Sequence, residues 1–86
     1  MDVLKNLKVL YVEDDDNTRA GLERFLKRRF GKVYTAENGE KGIESFNEHH
    51  PDIAIIDILL PGISGLEMIK KIREIDSKCR FFITST

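Results

Sequence analysis

Asp52-Ile53-Ala54-Ile55-Ile56-Asp57-Ile58-Leu59-Leu60-Pro61-Gly62-Ile63-Ser64-Gly65 is the stretch whose reading decides the fold. Ile53 to Ile56 is a short unbroken apolar run rich in β-branched residues. That is the signature of a strand buried on both faces. The run stops at an acid, Asp57. Pro61-Gly62 and Gly65 then demand a shaped loop rather than a continuing strand.

The same grammar repeats outward. Upstream, Val9-Leu10-Tyr11-Val12 is a second buried strand, ending in the acids Glu13, Asp14, Asp15 and Asp16. From Asn17 to Phe30 the apolar spacing turns helical, with Leu22, Phe25, Leu26 and Phe30 on one face. Asp16 or Asn17 is the expected N-cap and Gly31 the expected stop. Val33-Tyr34-Thr35 reads as a strand, broken at Asn38-Gly39. A helix over about 40–49 places Ile43 and Phe46 inward, and Pro51-Asp52 closes it. Downstream of the central stretch, a helix over about 66–75 turns Ile69, Ile72, Ile75 and Met68 inward. Phe81-Phe82-Ile83-Thr84 forms a fourth strand.

The element order is therefore βαβαβαβ. Alternation of this kind implies an α/β fold, a doubly wound parallel sheet with helices on both faces. The chain has 86 residues, enough for one small domain. Lys and Arg total 14 against 15 Asp and Glu, a net charge of −1, which gives no support for direct nucleic-acid binding. Cys79 is the single cysteine, which excludes an intrachain disulfide and a cysteine-based zinc site. No apolar run approaches the roughly 20 residues of a membrane span, and Met1 to Leu7 lacks the apolar centre of a signal peptide. The expected setting is cytoplasmic.

In such sheets the functional groups gather at the carboxyl ends of the strands. Strand one ends at Glu13-Asp14, strand three at Asp57 and strand four at Thr84-Ser85-Thr86. If strands one and three are neighbours, three carboxylates meet at one edge with a hydroxyl opposite. Crowded carboxylates repel one another, and a divalent cation relieves the repulsion. Ligands that are all oxygen favour a hard ion such as Mg²⁺. A metal beside a carboxylate also prepares it to attack phosphorus. A calcium EF-hand is disfavoured because Arg19 occupies the position that must be glycine. A dinucleotide site is disfavoured because no G-x-G-x-x-G follows strand one.

Three segments together carry a resemblance: Val9-Leu10-Tyr11-Val12-Glu13-Asp14-Asp15, the central stretch from Asp52 to Gly65, and Ile83-Thr84-Ser85-Thr86. In residue type and spacing they are similar to the receiver domain of two-component response regulators. The resemblance implies a flavodoxin-like sheet with strand order 2-1-3-4, lacking the family's fifth strand and last two helices. Residues 1–86 would then be the N-terminal portion of a receiver, engineered or proteolysed. It implies a phosphoacceptor module that takes a phosphoryl group from a histidine kinase or phosphotransfer protein, with Mg²⁺ as cofactor. The resemblance implies a phosphoacceptor, not a turnover enzyme.

Residue by residue, the resemblance makes Asp57 the phosphoacceptor and Asp14 a direct Mg²⁺ ligand. Glu13 would hold the ion, often through water, and the backbone carbonyl of Leu59 would be the third protein ligand. Ser85 matches the hydroxyl that bonds a phosphoryl oxygen; Thr84 is set aside because strand alternation points it elsewhere. The family's lysine at the end of strand five has no counterpart here. Loss of such an electrostatic donor typically costs about 2.7–4 kcal/mol of barrier, so Mg²⁺ binding is expected to survive while phosphorylation is slow. Strand four becomes an open edge, and self-association through it is expected.

Two other functions compete. A pseudo-receiver or interaction module without phosphotransfer is opposed by the complete acidic set. A metal-dependent phosphohydrolase on a similar sheet needs a second acid two residues beyond the nucleophile, where Leu59 stands. Cys79 reads as a small, partly buried residue, Lys27-Arg28-Arg29 as a solvated helix face, and Phe25, Phe30 and Phe46 as core.

Overall fold

The computed structural model describes residues 3–84. A 3-10 turn at Val3–Asn6 leads into β1 (Lys8–Val12), followed by α1 (Asp16–Lys27), β2 (Lys32–Ala36), α2 (Gly39–His49), β3 (Ile53–Asp57), α3 (Gly65–Ile75) and β4 (Arg80–Thr84). All strand pairings are parallel, and the order across the sheet is β2-β1-β3-β4. This is the expected doubly wound arrangement. The chain leaves β1 in one direction to form β2 and in the other to form β3, so the topological switch point lies between β1 and β3.

Strand alternation explains why β1 and β3 read as unbroken apolar runs. Leu10 and Val12 of β1, with Ala54 and Ile56 of β3, face Phe46 of α2 and Met68 and Ile72 of α3. Val9 and Tyr11 face the other way, toward Leu26 of α1. Phe46, Met68, Ile72 and Ile56 are wholly buried, and each such side chain contributes about 1.5–3 kcal/mol. Gly42 lets α2 settle closely, because a Cβ there would run into the Met68 side chain and lie 3.0 Å from Val12 Cγ2.

Several boundaries differ from the sequence reading, each for a local reason. Asp15, not Asp16 or Asn17, caps α1: its side chain accepts from the Thr18 N–H at 2.8 Å. The helix ends at Lys27, capped by Arg28, so Gly31 is not its stop. Gly31 is instead where the chain passes the Lys5 carbonyl so closely that no side chain fits. Its N–H donates to Leu7 O at 3.0 Å, feeding the chain into β2.

Phe25, expected in the core, is half exposed beneath the Arg29 guanidinium. Ile75, expected inward, is about half exposed at the last residue of α3. His50 terminates α2 in the left-handed region at φ 49°, donating its N–H to Phe46 O. His49 stacks on Tyr34, with ring centroids 3.8 Å apart. Cys79 is more deeply buried than its sequence suggested, and burial pushes its thiol up to about 11. It is thus a packing residue and not a nucleophile. No helix among the described residues is long and apolar enough to cross a membrane.

Candidate functional site

The carboxyl ends of β1 and β3 lie side by side, with Val12 paired to Ile56. The next residue on each strand is an acid. Glu13, Asp14 and Asp57 each place a carboxylate oxygen within 4.8 Å of the others. Glu13 and Asp57 are almost fully buried, at 1% and 2% exposure, whereas Asp14 is exposed. Two of the acids are thus buried and one is open to solvent.

Each member is held by the local fold. The Glu13 N–H donates to Ala36 O at 3.0 Å, extending the β1–β2 pairing past the strand end. Its carboxylate accepts from the Tyr11 hydroxyl at 3.4 Å and from the Asp15 N–H at 3.2 Å. Burial raises the Glu13 carboxyl above its ordinary range; the Asp15 N–H opposes this, and the neighbouring Asp14 and Asp57 add to it. The Tyr11 phenol is pushed up to about 12, first by burial and then by the adjacent Glu13 charge.

The run of four acids thus divides into separate tasks. Glu13 and Asp14 form the cluster. Asp15 is the helix cap, its carboxyl lowered by the hydrogen bonds from Thr18. Asp16 pairs with Arg19, whose guanidinium also donates to Glu13 O at 2.8 Å. Arg19 therefore tethers the acidic loop from α1. In sequence Arg19 stands out as the residue that disfavours an EF-hand; its i+3 spacing from Asp16 is the signal for this second role.

Asp57 sits at the end of β3, opposite Thr84 of β4. Its Oδ1 accepts from the Leu59 N–H at 3.0 Å, which folds the start of the β3–α3 loop back over the carboxylate. The Leu59 side chain is 69% exposed, so its backbone is the part that faces the acid. Gly65 makes this geometry possible, since a Cβ there would come within 2.7 Å of Asp57 O and 2.9 Å of Ile58 Cα. Ser64 caps α3 by accepting from the Glu67 N–H at 3.1 Å.

Ser85, the expected phosphoryl-bonding hydroxyl, lies outside the described residues. Its neighbour Thr84 has a buried hydroxyl with no hydrogen-bond partner among the described residues.

A second cleft, of about 300 Å³, opens at the opposite end of the sheet and includes Asp52 and Asp76. Both acids are already committed: Asp52 accepts from the Lys8 N–H at 2.9 Å and Asp76 from the Lys78 N–H at 2.8 Å. The acidic cluster at the switch point is the better candidate, because three carboxylates from two separate strand ends gather there within 4.8 Å.

A doubly wound sheet with an acidic triad at its switch point defines an α/β domain whose candidate site lies where such folds bind their ligands. Residues 9–86 match the response regulator receiver domain. The chain belongs to that family and is a signalling module.

It is 34% identical over 79 residues to the chemotaxis protein CheY of Bacillus subtilis, covering 91% of this chain and 66% of that protein. It is 40% identical over 79 residues to a cyclic di-GMP phosphodiesterase of Thermotoga maritima, covering 92% of this chain but 21% of that protein. Among solved structures, it is similar to the response regulator TrrA of Thermotoga maritima in complex with Mg²⁺-BeF. There the identity is 36% and the TM-score 0.81, covering 87% of this chain and 65% of that one. TrrA has also been solved in complex with the histidine kinase ThkA, a match of 34% identity and TM-score 0.84 that covers 93% of this chain and 69% of that one. The chain spans about a fifth to a third of the length of several relatives it matches.

Proposed function

We propose that Asp57 accepts a phosphoryl group from a phosphohistidine of a histidine kinase or phosphotransfer protein. One observation carries this reading: three carboxylates from two separate strand ends share a site within 4.8 Å, and Asp57 is the buried one on β3. In the transfer, an Asp57 oxygen forms a bond to phosphorus as the P–N bond to the partner imidazole breaks. The imidazole leaves with the electron pair, and the product is an acyl phosphate.

The donor set fits Mg²⁺. Carboxylate oxygens from Glu13, Asp14 and Asp57, with the Leu59 carbonyl, are hard ligands that suit a hard cation. When bound, such an ion supplies charge neutralisation for the incoming phosphoryl oxygens. The protein's own part is positional. The Leu59 N–H orients Asp57 and burial restricts water around it, while Ser85, the residue after Thr84 in the sequence, is the hydroxyl assigned to a phosphoryl oxygen.

The partner class is supported by the kinase complex of the TrrA relative. The reaction is a stoichiometric modification, not turnover, and its readout is a shift between conformations. A cytoplasmic setting accords with the single, free Cys79.

The test is incorporation of phosphate from a phosphorylated kinase or from acetyl phosphate into the full-length protein. Alkali- and hydroxylamine-labile phosphate on the wild-type chain, lost in Asp57→Ala and on Mg²⁺ removal, is the expected result. A wild-type protein that takes up no phosphate while retaining partner binding would establish the pseudo-receiver instead.

A further inference from the structure

The β3–α3 loop is fastened from outside its own elements. Glu40, in the first turn of α2, reaches across to it: Glu40 Oε1 accepts from the Ile63 N–H at 3.0 Å, between residues 23 positions apart in sequence. The loop bends beneath that carboxylate at Gly62, which has φ 77°. The positive φ favours glycine there, and a Cβ on Gly62 would stand 2.5 Å from Glu40 Oε1, so a larger residue would push the carboxylate aside. Beside it, Gly39 at the head of α2 has room for the Ile63 side chain only because it carries none of its own. Ile63 packs against the main core. A hydrogen bond, a glycine turn and an apolar wedge thus converge on one short segment.

We propose that Glu40 is a positioning residue for the Asp57 site. It rests on the reading above, in which the Leu59 carbonyl and Asp57 hold a divalent cation. Asp57 and Leu59 open this loop, and Glu40 anchors it four residues past Leu59. With the anchor in place, the loop keeps the Leu59 backbone over the Asp57 carboxylate. Without it, the segment keeps the Ile58 N–H bond to Thr84 O, the Leu59 N–H bond to Asp57 and the packing of Leu60 and Ile63, but loses its hydrogen bond to α2. The anchor also joins α2 to the site. Movement of α2, which contributes no residue to the acidic cluster, would reach Asp57 through Glu40. The functional group is an acceptor oxygen and not a charge, so Gln should replace Glu and Ala should not.

The experiment compares wild-type, Glu40→Gln and Glu40→Ala full-length proteins. Hydrogen exchange of the Ile63 amide is measured without metal. Mg²⁺ titration is then followed by the amide resonances of Leu59 and Asp57. Glu40→Ala is expected to speed Ile63 exchange about fivefold and to weaken Mg²⁺ binding about tenfold. Glu40→Gln is expected to match wild type in both. Wild-type Mg²⁺ affinity in Glu40→Ala overturns the proposal, as does a Glu40→Gln protein that behaves like Glu40→Ala. If the wild type binds no Mg²⁺, the site reading fails, while unchanged or faster Ile63 exchange in Glu40→Ala still decides whether the anchor exists.

Discussion

The phenol of Tyr11 lies beneath the acidic cluster and donates to Glu13 Oε1 across 3.4 Å, both residues being almost fully buried. An apolar strand residue thus supplies the floor of a charged site. Tyr11→Phe leaves a buried carboxylate with one donor fewer. At this long distance the loss is expected to be about 1 kcal/mol in urea unfolding.

The same contact sets the alkaline limit of stability. The folded phenol titrates at about 12, above its ordinary 10.0. A group whose folded value is raised contributes stability below its unfolded value and loses it as pH rises through the folded one. The Tyr11 contribution is therefore intact below pH 10 and lost toward pH 12. Cys79, raised from 9.0 to about 11, has the same sign. Stability measured against pH should decline across this range, and Tyr11→Phe should flatten the upper part of the decline. A slope unchanged by Tyr11→Phe would falsify this assignment.

Metal removal has a calculable consequence. A ligand that binds only the folded chain at 100 times its dissociation constant adds about 2.7 kcal/mol. Saturating Mg²⁺ should therefore raise the unfolding midpoint, and chelation should reverse the rise. In Asp14→Asn, which removes the exposed member of the cluster, the rise should shrink or vanish. An equal rise in wild type and Asp14→Asn would place the ion elsewhere.

Gly65→Ala tests the loop's close approach. The new methyl would press on Asp57 O and Ile58 Cα, which are backbone atoms and cannot rotate away. Overpacking of this kind costs about 1–3 kcal/mol. The Leu59 amide resonance should move as well, because its hydrogen bond to Asp57 starts from the displaced segment. Gly21→Ala is the control, since a Cβ there meets nothing within 4 Å.

Among the described residues, strand β4 pairs only with β3, and Phe82 and Ile83 are 58% and 50% exposed. An apolar strand edge of this kind invites pairing with another chain. The 86-residue chain should show a concentration-dependent mass in light scattering, relieved by Phe82→Lys. A strict monomer at high concentration would remove the expectation.

The strands, the helices and the acids at the strand ends were legible in the amino-acid order, because each depends on neighbours along the chain. A buried parallel strand must be apolar on both faces, so Ile53-Ala54-Ile55-Ile56 reads one way. The division of labour within Glu13-Asp14-Asp15-Asp16 was not legible. Any of three residues offers a suitable cap, and only the path of the chain into α1 selects Asp15. Phe25 and Ile75 fit an apolar stripe, yet their burial depends on where α1 and α3 stop and what lies beyond them. That Glu40 meets Ile63, and that Gly31 passes Lys5, follow from packing between distant segments. Local sequence determined which elements form and which acids end them; the tertiary structure decided which acids meet, because contact between strand ends depends on sheet order.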